Sequence, residues 1–261
     1  MKYIFSRLHE IEGVIKNYKN IALLLDFDGT ISPIVKKPEN AYITKETRSI
    51  LKKINKVFPV VIITGRSFNV IIKKVGVNNF IYGASHGLEW NFDGKLKNKI
   101  LPKLITDQLE QFHETLKKIK DTYPSLIIEE KKYSVTFHYH LMPVKDKKFF
   151  KKWLKKFLKN VRKRPVIKIF HDKETIDIVP SLNWTKGDIA RLALKYLNKK
   201  NKIKFKPIYI GDSKTDEDAF YALSKGITIR VGKSNTSTAK WYMKNQNEVK
   251  LFLKWLLDLK L

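Results

Sequence analysis

Short apolar runs, each followed by polar and turn-forming residues, divide the chain and predict strands. The runs that matter most for the argument are Ile21–Leu25, Val60–Ile63 and Ile208–Ile210. Such runs are typical of strands that are buried on both faces of a sheet. Longer stretches whose apolar residues recur every three or four positions, such as Asp188–Leu197 and Glu248–Leu259, predict amphipathic helices. The chain is therefore predicted to alternate strands with helices.

A different pattern occupies the middle of the chain, after a predicted hairpin with its turn at Asp93–Gly94. Helices are predicted at about 105–123 and 146–161, and strands near 126–129, 133–139, 166–170 and 175–178. This order suffices for a small sheet covered by helices on one face. We therefore predict a core formed by residues 1–101 and 180–261, and an inserted α+β unit formed by residues 102–179.

Lysine dominates the charged residues. The 261 residues include 53 Lys and Arg against 25 Asp and Glu, which gives a formal charge of +28. The excess is spread along every segment, and only seven of these residues are arginine, the side chain preferred for reading phosphates and bases. A basic nucleic-acid-binding protein is therefore an alternative that we do not favour, and no specific nucleic-acid partner is expected. A positive field would still attract an anionic ligand.

Membrane association and disulfides are not expected either. The sequence has no cysteine, its first residues lack the apolar stretch of a signal peptide, and no apolar run approaches the length of a membrane span. The segment 149–158 is basic and amphipathic, so a membrane-surface helix is one interpretation. Its apolar positions 150, 153, 154, 157 and 161 equally mark the buried stripe of a helix that covers a sheet, which we favour. We expect a soluble, cytoplasmic protein.

The most informative motif, Asp26-Phe27-Asp28-Gly29-Thr30, directly follows the first apolar run. Strand geometry turns the two carboxylates to the same side, and Gly29 permits a sharp turn. Two like charges at this spacing are costly unless a cation lies between them. The motif therefore predicts a Mg²⁺ site in which one carboxylate also meets a phosphoryl group. An aspartate-rich turn without chemistry is the alternative.

Polar residues also follow the other two runs. Thr64 and Gly65 come after the second run and offer a hydroxyl and an amide to a phosphate oxygen. Asp212 follows the third run, with Asp216 after it. Lys186 lies near the start of the helix predicted from Asp188, where anions bind well. A helix cap or a solvated charge explains each of these residues alone, but their order at strand ends and helix starts predicts a single phosphate and metal site.

This set of motifs resembles that of the haloacid dehalogenase-like (HAD) phosphohydrolases. The resemblance implies an α/β fold, with a doubly wound parallel sheet and an inserted α+β cap, and hydrolysis through an aspartyl-phosphate. It implies that Asp26 is the nucleophile and Asp28 the general acid and base. Thr64, Gly65 and Lys186 would bind the phosphoryl oxygens. The chemistry agrees, because a carboxylate is a competent covalent acceptor of a phosphoryl group.

The same resemblance implies Mg²⁺ as the cofactor. Its ligands would be Asp26, Asp212 and the main-chain carbonyl of Asp28, with Asp216 supporting them from behind. A phosphomutase, in which the phospho-enzyme survives to phosphorylate a second position, is an alternative of another class.

Segments outside these motifs resemble the trehalose-6-phosphate phosphatases, and the resemblance covers nearly the whole chain. The matching segments are His86–Glu89, Glu129–Tyr139, Thr175–Pro180 and Thr238–Tyr242. The residues that this resemblance assigns to substrate binding are Arg66, His86, Glu129, Lys131 and Asp177. Two departures stand out: Asp177 replaces a more usual Glu, and His140 replaces a commoner Arg. A surface ion pair of Glu129 with Lys131 and an ordinary packed His86 are the alternatives.

The expected activity is hydrolysis of trehalose 6-phosphate to trehalose and phosphate. The expected partner is this small sugar phosphate, with a functional link to a trehalose-phosphate synthase. Within the same fold, sucrose 6-phosphate and mannosyl-3-phosphoglycerate are the alternative substrates.

Overall fold

The computed structural model describes residues 1–17, 20–35, 38–162, 167–172 and 174–259. Contacts between residues divide the chain into two compact units. The first, called the core, consists of Met1–Asn98 and Trp184–Leu261, and the second, called the inserted unit, is Lys99–Asn183. The assignment of the inserted unit to substrate specificity stays a prediction.

Thirteen strands and eight α-helices lie in the described part of the chain. The strands are β1 (Lys2–Tyr3), β2 (Ile21–Leu25), β3 (Val60–Ile63), β4 (Ile81–Ala84), β5 (Glu89–Asn91), β6 (Leu96–Asn98), β7 (Ile127–Lys131), β8 (Ser134–His138), β9 (Ile167–Asp172), β10 (Thr175–Pro180), β11 (Lys206–Gly211), β12 (Ile227–Val231) and β13 (Trp241–Met243). The helices are α1 (Leu8–Asn17), α2 (Lys45–Ile54), α3 (Phe68–Val75), α4 (Lys103–Thr122), α5 (Val144–Arg162), α6 (Lys186–Asn201), α7 (Glu217–Ala222) and α8 (Gln246–Asp258).

The core sheet has nine strands in the order β1-β13-β12-β11-β2-β3-β4-β5-β6. In this order, each strand from β1 to β4 is parallel to its neighbours. The last two strands, β5 and β6, form a hairpin whose pairings with β4 and with each other are antiparallel. β2 lies between β11 and β3, and all five of its residues are buried. Because parallel strands end at the same edge of a sheet, the residues that follow β2, β3 and β11 are brought together there.

Alternate residues of β2 face two different layers of helices. Leu23 and Leu25 pack in a cluster with residues of α1, α2, α3 and α8, whereas Ala22 and Leu24 pack in a second cluster with residues of α6 and α7. This burial on both faces is why the run is continuously apolar instead of alternating. The predicted doubly wound parallel sheet is therefore confirmed.

The inserted unit is built on a four-stranded antiparallel sheet in the order β7-β8-β10-β9. Val135 and Phe137 of β8 pack with Ile178 of β10 in a cluster that includes residues of α4 and α5. Since successive side chains of a strand point to opposite faces, Thr136 and Asp177 lie on the other face of this sheet. The unit is thus an α+β layer pair with one face covered by helices, as its sequence predicts.

Helix α5 resolves the two interpretations of its basic, amphipathic sequence. Phe150, Leu154 and Leu158 are buried in the cluster of the inserted unit, and Trp153 and Phe157 pack against it. The predicted buried stripe is therefore confirmed at these positions, while the side chain of residue 161 lies outside the described ones. Among the described residues, no helix has both the length and the apolar character needed to span a bilayer.

Helix α6 begins two residues before the predicted start at Asp188. The reason is a capping box: the side chain of Thr185 accepts a hydrogen bond from the N–H of Gly187, and that of Asp188 accepts one from the N–H of Thr185. These bonds satisfy N–H groups that a helix start leaves without partners. Lys186 is therefore the first residue of the helix.

Candidate active site

The side chain of Asp26 is buried at the edge where β2 ends. Only 4% of the residue is exposed, and its N–H donates to the carbonyl of Ile210 in β11 at 2.9 Å. Its Oδ1 accepts a hydrogen bond from Lys186 Nζ at 2.8 Å, and its Oδ2 accepts one from Thr30 Oγ1 at 3.5 Å. The structure therefore brings together Asp26 and Lys186, which lie 160 positions apart in the sequence.

Lys186 bridges two buried carboxylates. Its Nζ also donates to Asp216 Oδ1 at 2.8 Å, and the residue is 4% exposed. Asp216 is fully buried and accepts further hydrogen bonds from Tyr209 Oη at 2.7 Å and from Ser213 Oγ at 2.6 Å. These bonds hold the ammonium in place beside Asp26.

Burial and mutual repulsion shift the pKa values of these groups in different directions. Burial raises the pKa of Asp26 well above its ordinary value, and the charges of Asp216 and Asp212 add to this, whereas the Lys186 ammonium opposes it. Burial also raises the pKa of Asp212 to about 7, with the charge of Asp216 as the next cause. For Asp216 burial opposes ionisation, but contact with Lys186 lowers its pKa. Burial alone would lower the pKa of Lys186, and its two carboxylates raise it instead.

The chemistry of this cluster suits a divalent cation. Carboxylate oxygens of Asp26, Asp212 and Asp216 lie within 4.8 Å of one another. A Cβ added to Gly29, which has a φ of 73°, would lie 2.0 Å from Asp212 Oδ2, so the glycine makes room for that carboxylate. Hard cations prefer oxygen ligands, and a cation would stabilise the ionised carboxylates against the burial, and the repulsion added to it, that raise the pKa values of Asp26 and Asp212. Asp26 and Asp212 are therefore fitting ligands, whereas both carboxylate oxygens of Asp216 already accept short hydrogen bonds, Oδ1 from Lys186 and Tyr209 and Oδ2 from Ser213.

Asp28 faces a different partner. Both of its carboxylate oxygens accept hydrogen bonds from the Arg66 guanidinium, from Nε at 2.8 Å and from Nη2 at 2.6 Å. The Arg66 side chain is 8% exposed, whereas that of Asp28 is 45% exposed. This bidentate pair fixes the orientation of Asp28 while leaving it open to solvent. The assignments of Arg66 to substrate, and of the Asp28 carbonyl to the metal, stay predictions.

Thr64 and Gly65 follow β3 at the same edge. Thr64 is 1% exposed, and its Oγ1 accepts a hydrogen bond from the N–H of Arg66 at 3.1 Å. A Cβ added to Gly65 would lie 2.6 Å from His86 Cε1, so the imidazole covers this glycine. His86 thus lies next to Thr64 and Gly65, which are predicted to bind phosphate. Their separation in the sequence gives no sign of this contact.

The residues predicted to bind sugar lie in the inserted unit. In its sheet Glu129 pairs with Thr136, and Thr136 pairs with Asp177, so the three share one face. Thr136 Oγ1 donates to Asp177 Oδ1 at 2.5 Å, and the Glu129 carboxylate lies 3.5 Å from a ring nitrogen of His138. The backbone of Lys131 lies in β7, but its side chain is outside the described ones. Their role in binding sugar stays a prediction.

The sequence did not predict two buried polar residues at the site, Tyr209 and Glu89. Tyr209 lies within an apolar strand, and nothing marked its hydroxyl as a partner of Asp216. Glu89 is part of a segment that resembles the phosphatases, yet no role was assigned to it. It is 6% exposed and accepts hydrogen bonds from Ser85 Oγ and from the N–H of Phe68. A carboxylate between apolar neighbours was the available signal, because such a group is rarely buried without partners.

His140, the position where an arginine is commoner in the family, also lies in the inserted unit. Its carbonyl accepts a hydrogen bond from Lys147 Nζ at 3.4 Å, and its ring lies 6.2 Å from that of His138. Lys147 in turn binds both carboxylate oxygens of Glu174 at 3.0 Å. The backbone at His140 is therefore anchored by a lysine from α5.

Comparison with known proteins identifies the family. The sequence model of the family described as trehalose-phosphatase matches residues 24–250. Trehalose-phosphate phosphatase B of Arabidopsis thaliana is 31% identical over 255 residues, which are 93% of this chain and 67% of that protein.

Two solved structures share the fold. The C-terminal domain of the trehalose-6-phosphate phosphatase of C. albicans superimposes with a TM-score of 0.82 at 22% identity, covering 97% of each chain. A phosphatase of the haloalkanoate (HAD) enzyme superfamily from Bacteroides thetaiotaomicron gives 0.57 at 14% identity, covering 92% of this chain and 95% of that one. The expected HAD-type fold is therefore confirmed. With a family match that spans most of its length, the chain belongs to the trehalose-phosphatase family.

Proposed function

We propose that the protein hydrolyses trehalose 6-phosphate to trehalose and inorganic phosphate. The observation that carries the proposal is the buried Lys186, bonded to both Asp26 and Asp216 in a chain of the trehalose-phosphatase family. Such a constellation sets a nucleophilic carboxylate beside a fixed positive charge. Phosphoryl transfer gains chiefly from positioning and charge neutralisation of this kind.

In the first step, Asp26 attacks the phosphorus atom of the ester. A bond forms between a carboxylate oxygen of Asp26 and phosphorus, and the bond from phosphorus to the sugar oxygen breaks. Asp28 donates a proton to the departing sugar oxygen. Lys186 and the Thr64 hydroxyl, with the amide of Gly65, bind the phosphoryl oxygens through this transfer.

In the second step, water cleaves the aspartyl-phosphate. Asp28, now a carboxylate, takes a proton from the water as its oxygen attacks phosphorus, and the bond to Asp26 breaks. Inorganic phosphate leaves, and both carboxyl groups return to their initial states. The Arg66 guanidinium holds Asp28 by two hydrogen bonds, which orients the carboxylate that takes the proton from water.

Mg²⁺ is the proposed cofactor, with Asp26, Asp212 and the main-chain carbonyl of Asp28 as its protein ligands. When bound, it would neutralise part of the charge on the carboxylates and the phosphoryl group. Asp216 is proposed to support the site through Lys186.

Sugar recognition is proposed for Arg66, His86, Glu129, Lys131 and Asp177. Carboxylates and an ammonium make charge-assisted hydrogen bonds to hydroxyl groups. The residues of the inserted unit would thereby distinguish one sugar phosphate from another. We also propose a cytoplasmic location and a functional link to the trehalose-phosphate synthase that makes the substrate.

A substrate panel with phosphate release as the readout tests the proposed function. We expect kcat/KM for trehalose 6-phosphate to exceed that for sucrose 6-phosphate, mannosyl-3-phosphoglycerate and glucose 6-phosphate by at least about tenfold, since lost hydrogen bonds to a sugar are worth a decade or more. Chelation of divalent cations should abolish the activity, and added Mg²⁺ should restore it. Preference for another sugar phosphate would overturn the substrate, and absence of phosphate release from every ester would overturn the phosphatase.

A further inference from the structure

A left-handed turn, Ser85–Gly87, lies beside the predicted phosphate segment Thr64–Arg66. The φ angles of Ser85, His86 and Gly87 are 50°, 56° and 92°. Positive φ is unfavourable for residues other than glycine, and two such residues in succession persist only where the surrounding structure holds them. Conformations of this kind cluster at functional sites.

Backbone hydrogen bonds join the turn to the phosphate segment. The N–H of Ser85 donates to the carbonyl of Arg66 at 2.7 Å, and the N–H of His86 donates to the carbonyl of Thr64 at 3.0 Å. Between these two bonds the His86 imidazole covers Gly65, with ring atoms 2.6 and 2.7 Å from the place that a Cβ would take. The position of the turn therefore sets the position of Thr64 and of the His86 ring.

The same turn also contacts the start of α6. The carbonyl of Gly87 accepts a hydrogen bond from Trp184 Nε1 at 2.8 Å, two residues before Lys186. A Cβ added to Gly87 would lie 2.9 Å from the Cβ of Ile189 in α6. The turn thus touches both backbone segments that are proposed to bind the phosphoryl group.

Glu89 holds the turn from behind. Its Oε2 accepts hydrogen bonds from Ser85 Oγ at 2.7 Å and from the N–H of Phe68 at 2.9 Å, and only 6% of the residue is exposed. Phe68 is the first residue of α3, whose N-cap residue Ser67 makes no side-chain capping bond. A single buried carboxylate oxygen therefore connects the turn to the helix that follows Thr64–Arg66.

We propose that Glu89 is a positioning residue for phosphoryl binding: through Ser85 it fixes the left-handed turn, and through the turn it places Thr64 and the His86 imidazole. The inference rests on the proposed function, because it takes Thr64 and Lys186 to bind the phosphoryl group. It concerns the phosphate end of the substrate, so its loss should also affect esters that carry no sugar.

Three variants separate positioning from simple stabilisation of α3. S85A removes the bond between the turn and Glu89 and leaves the bond to Phe68. E89A removes both bonds, and E89Q keeps an amide oxygen that accepts both. We expect S85A and E89A to raise the inhibition constant of inorganic phosphate about tenfold and to lower kcat/KM by about 10- to 100-fold, the size of effect that small misplacements cause. E89Q should stay within about threefold of the wild type, since it restores both acceptors.

The readouts are phosphate inhibition and the hydrolysis of p-nitrophenyl phosphate and trehalose 6-phosphate, measured well below every melting temperature. Both esters should lose activity, because both carry the same phosphoryl group, and trehalose 6-phosphate should lose at least as much as p-nitrophenyl phosphate, since His86 is also proposed to contact its sugar. Glu248 supplies the matched control: its carboxylate accepts from Tyr3 Oη and from the N–H of Lys244, both at 2.7 Å, just after the start of α8. E248A should lower the melting temperature and leave phosphate inhibition unchanged.

The outcomes are distinct. If S85A and E89A resemble E248A, with lower melting temperatures and unchanged phosphate inhibition, Glu89 is a helix cap only and the inference is overturned. Should E89A fail to fold, S85A decides by the same criterion. A wild type that hydrolyses p-nitrophenyl phosphate but not trehalose 6-phosphate would overturn the substrate and leave this test intact. A wild type that neither binds phosphate nor hydrolyses an ester would overturn the inference together with the proposed function.

Discussion

Asp26 is buried and its pKa is raised, yet the attack proposed for it requires the ionised form. Lys186 favours the ionised form, because its ammonium lies 2.8 Å from Asp26 Oδ1 and lowers the pKa of Asp26. A divalent cation beside Asp212 would act in the same direction. As the proposed nucleophile, Asp26 would therefore depend on the positive charges around it.

Replacing Asp26 tests the nucleophile directly. Asp26→Asn keeps the size and one acceptor oxygen but removes the attacking charge, so we expect activity to fall by at least about 10³-fold with the fold retained. Circular dichroism checks the fold and phosphate release checks the rate. In the wild type, the phosphoryl mimic BeF₃⁻ should be found on Asp26 in a crystal structure. Its attachment to another side chain would contradict the assignment.

Asp28 and Asp212 are expected to respond differently to the same change. Asp28→Asn leaves the main-chain carbonyl for the metal and removes proton transfer, so Mg²⁺ affinity should change by less than about threefold while turnover falls by about 10²- to 10⁴-fold. Asp212→Asn should weaken Mg²⁺ binding by about tenfold or more, because it removes a charged ligand. Titration calorimetry measures both. Equal losses of Mg²⁺ affinity would show that the Asp28 carboxylate is itself a ligand.

The pKa of Asp212 predicts how Mg²⁺ binding depends on pH. Burial raises this pKa to about 7, so below that pH a metal ion must displace a proton from the carboxylate. Apparent Mg²⁺ affinity should therefore rise as pH increases from 5.5 to 7, by up to about tenfold per pH unit for one proton, and level off above about 8. Calorimetry in buffers of different ionisation enthalpy would count the released protons. An affinity independent of pH across this range would refute the prediction.

At the scale of elements, the start of α6 depends on the absence of a side chain at Gly187. A Cβ there would lie 2.4 Å from the carbonyl oxygen of Asp218 and 2.9 Å from the Cβ of Ala222 in α7. The glycine thus allows α6 and α7 to pack closely, and this packing fixes the residue before it, Lys186. The close packing of α6 against α7 therefore also determines where the Lys186 ammonium lies.

Gly187→Ala should separate these helices. We expect a loss of about 1–3 kcal/mol of unfolding free energy from overpacking and about a 10²-fold loss of kcat/KM from displacement of Lys186. Gly13→Ala is the matched control, since Gly13 lies in α1 with no heavy atom within 4 Å of an added Cβ. It should raise stability by about 0.5–1 kcal/mol and leave the kinetics unchanged. An active Gly187→Ala protein would mean that α6 tolerates the shift.

The sequence best predicts those elements whose pattern of apolar residues lies within one short segment. The strand Ile21–Leu25 reads as buried because each residue contributes to one unbroken apolar run, and Asp26 is then placed at its end by position alone. The start of α6 was set two residues late because Thr185 and Asp188 form a cap that only the folded backbone reveals. Capping decides an end residue, whereas apolar periodicity decides only that a helix exists.

The sequence predicts which residues lie at the site better than it predicts which of their side chains bond to each other. Lys186 and Asp216 were both expected there, but their direct contact joins residues 30 positions apart. Arg66 was expected to bind substrate, and the structure pairs its guanidinium with Asp28. Sequence order places residues at an edge of the sheet, but which polar atoms meet there depends on side-chain packing. That information is spread over the whole chain and is absent from any single motif.

At the scale of the molecule, the two compact units carry different kinds of residue. The groups proposed for chemistry all lie in the core, at the carboxyl ends of β2, β3 and β11 and at the start of α6. Glu129 and Asp177 lie in the inserted unit, on the face of its sheet opposite the cluster packed against α4 and α5. Chemistry and sugar recognition are therefore expected to be separable by substitution.

Loss of Glu129 or Lys131 tests this separation. Removing a charge-assisted hydrogen bond costs about 1.5–3 kcal/mol, which is roughly a tenfold to hundredfold loss at 1.4 kcal/mol per decade. Glu129→Ala and Lys131→Ala should each lower kcat/KM for trehalose 6-phosphate by about that factor. Part of the loss should appear in kcat, because contacts distant from phosphorus also position it. Hydrolysis of p-nitrophenyl phosphate, which has no sugar, should change by less than about twofold.

Glu130→Ala is the control for this experiment, because Glu130 is the residue between the two on β7 and faces the opposite side of the sheet. It removes the same charge as Glu129→Ala from the same strand but on the other face, so it should leave the ratio of kcat/KM values for the two esters unchanged. Equal losses on both esters in the Glu129 and Lys131 variants would mean that these residues support the fold or the metal site. A changed ratio in those variants alone would assign sugar discrimination to one face of the inserted sheet.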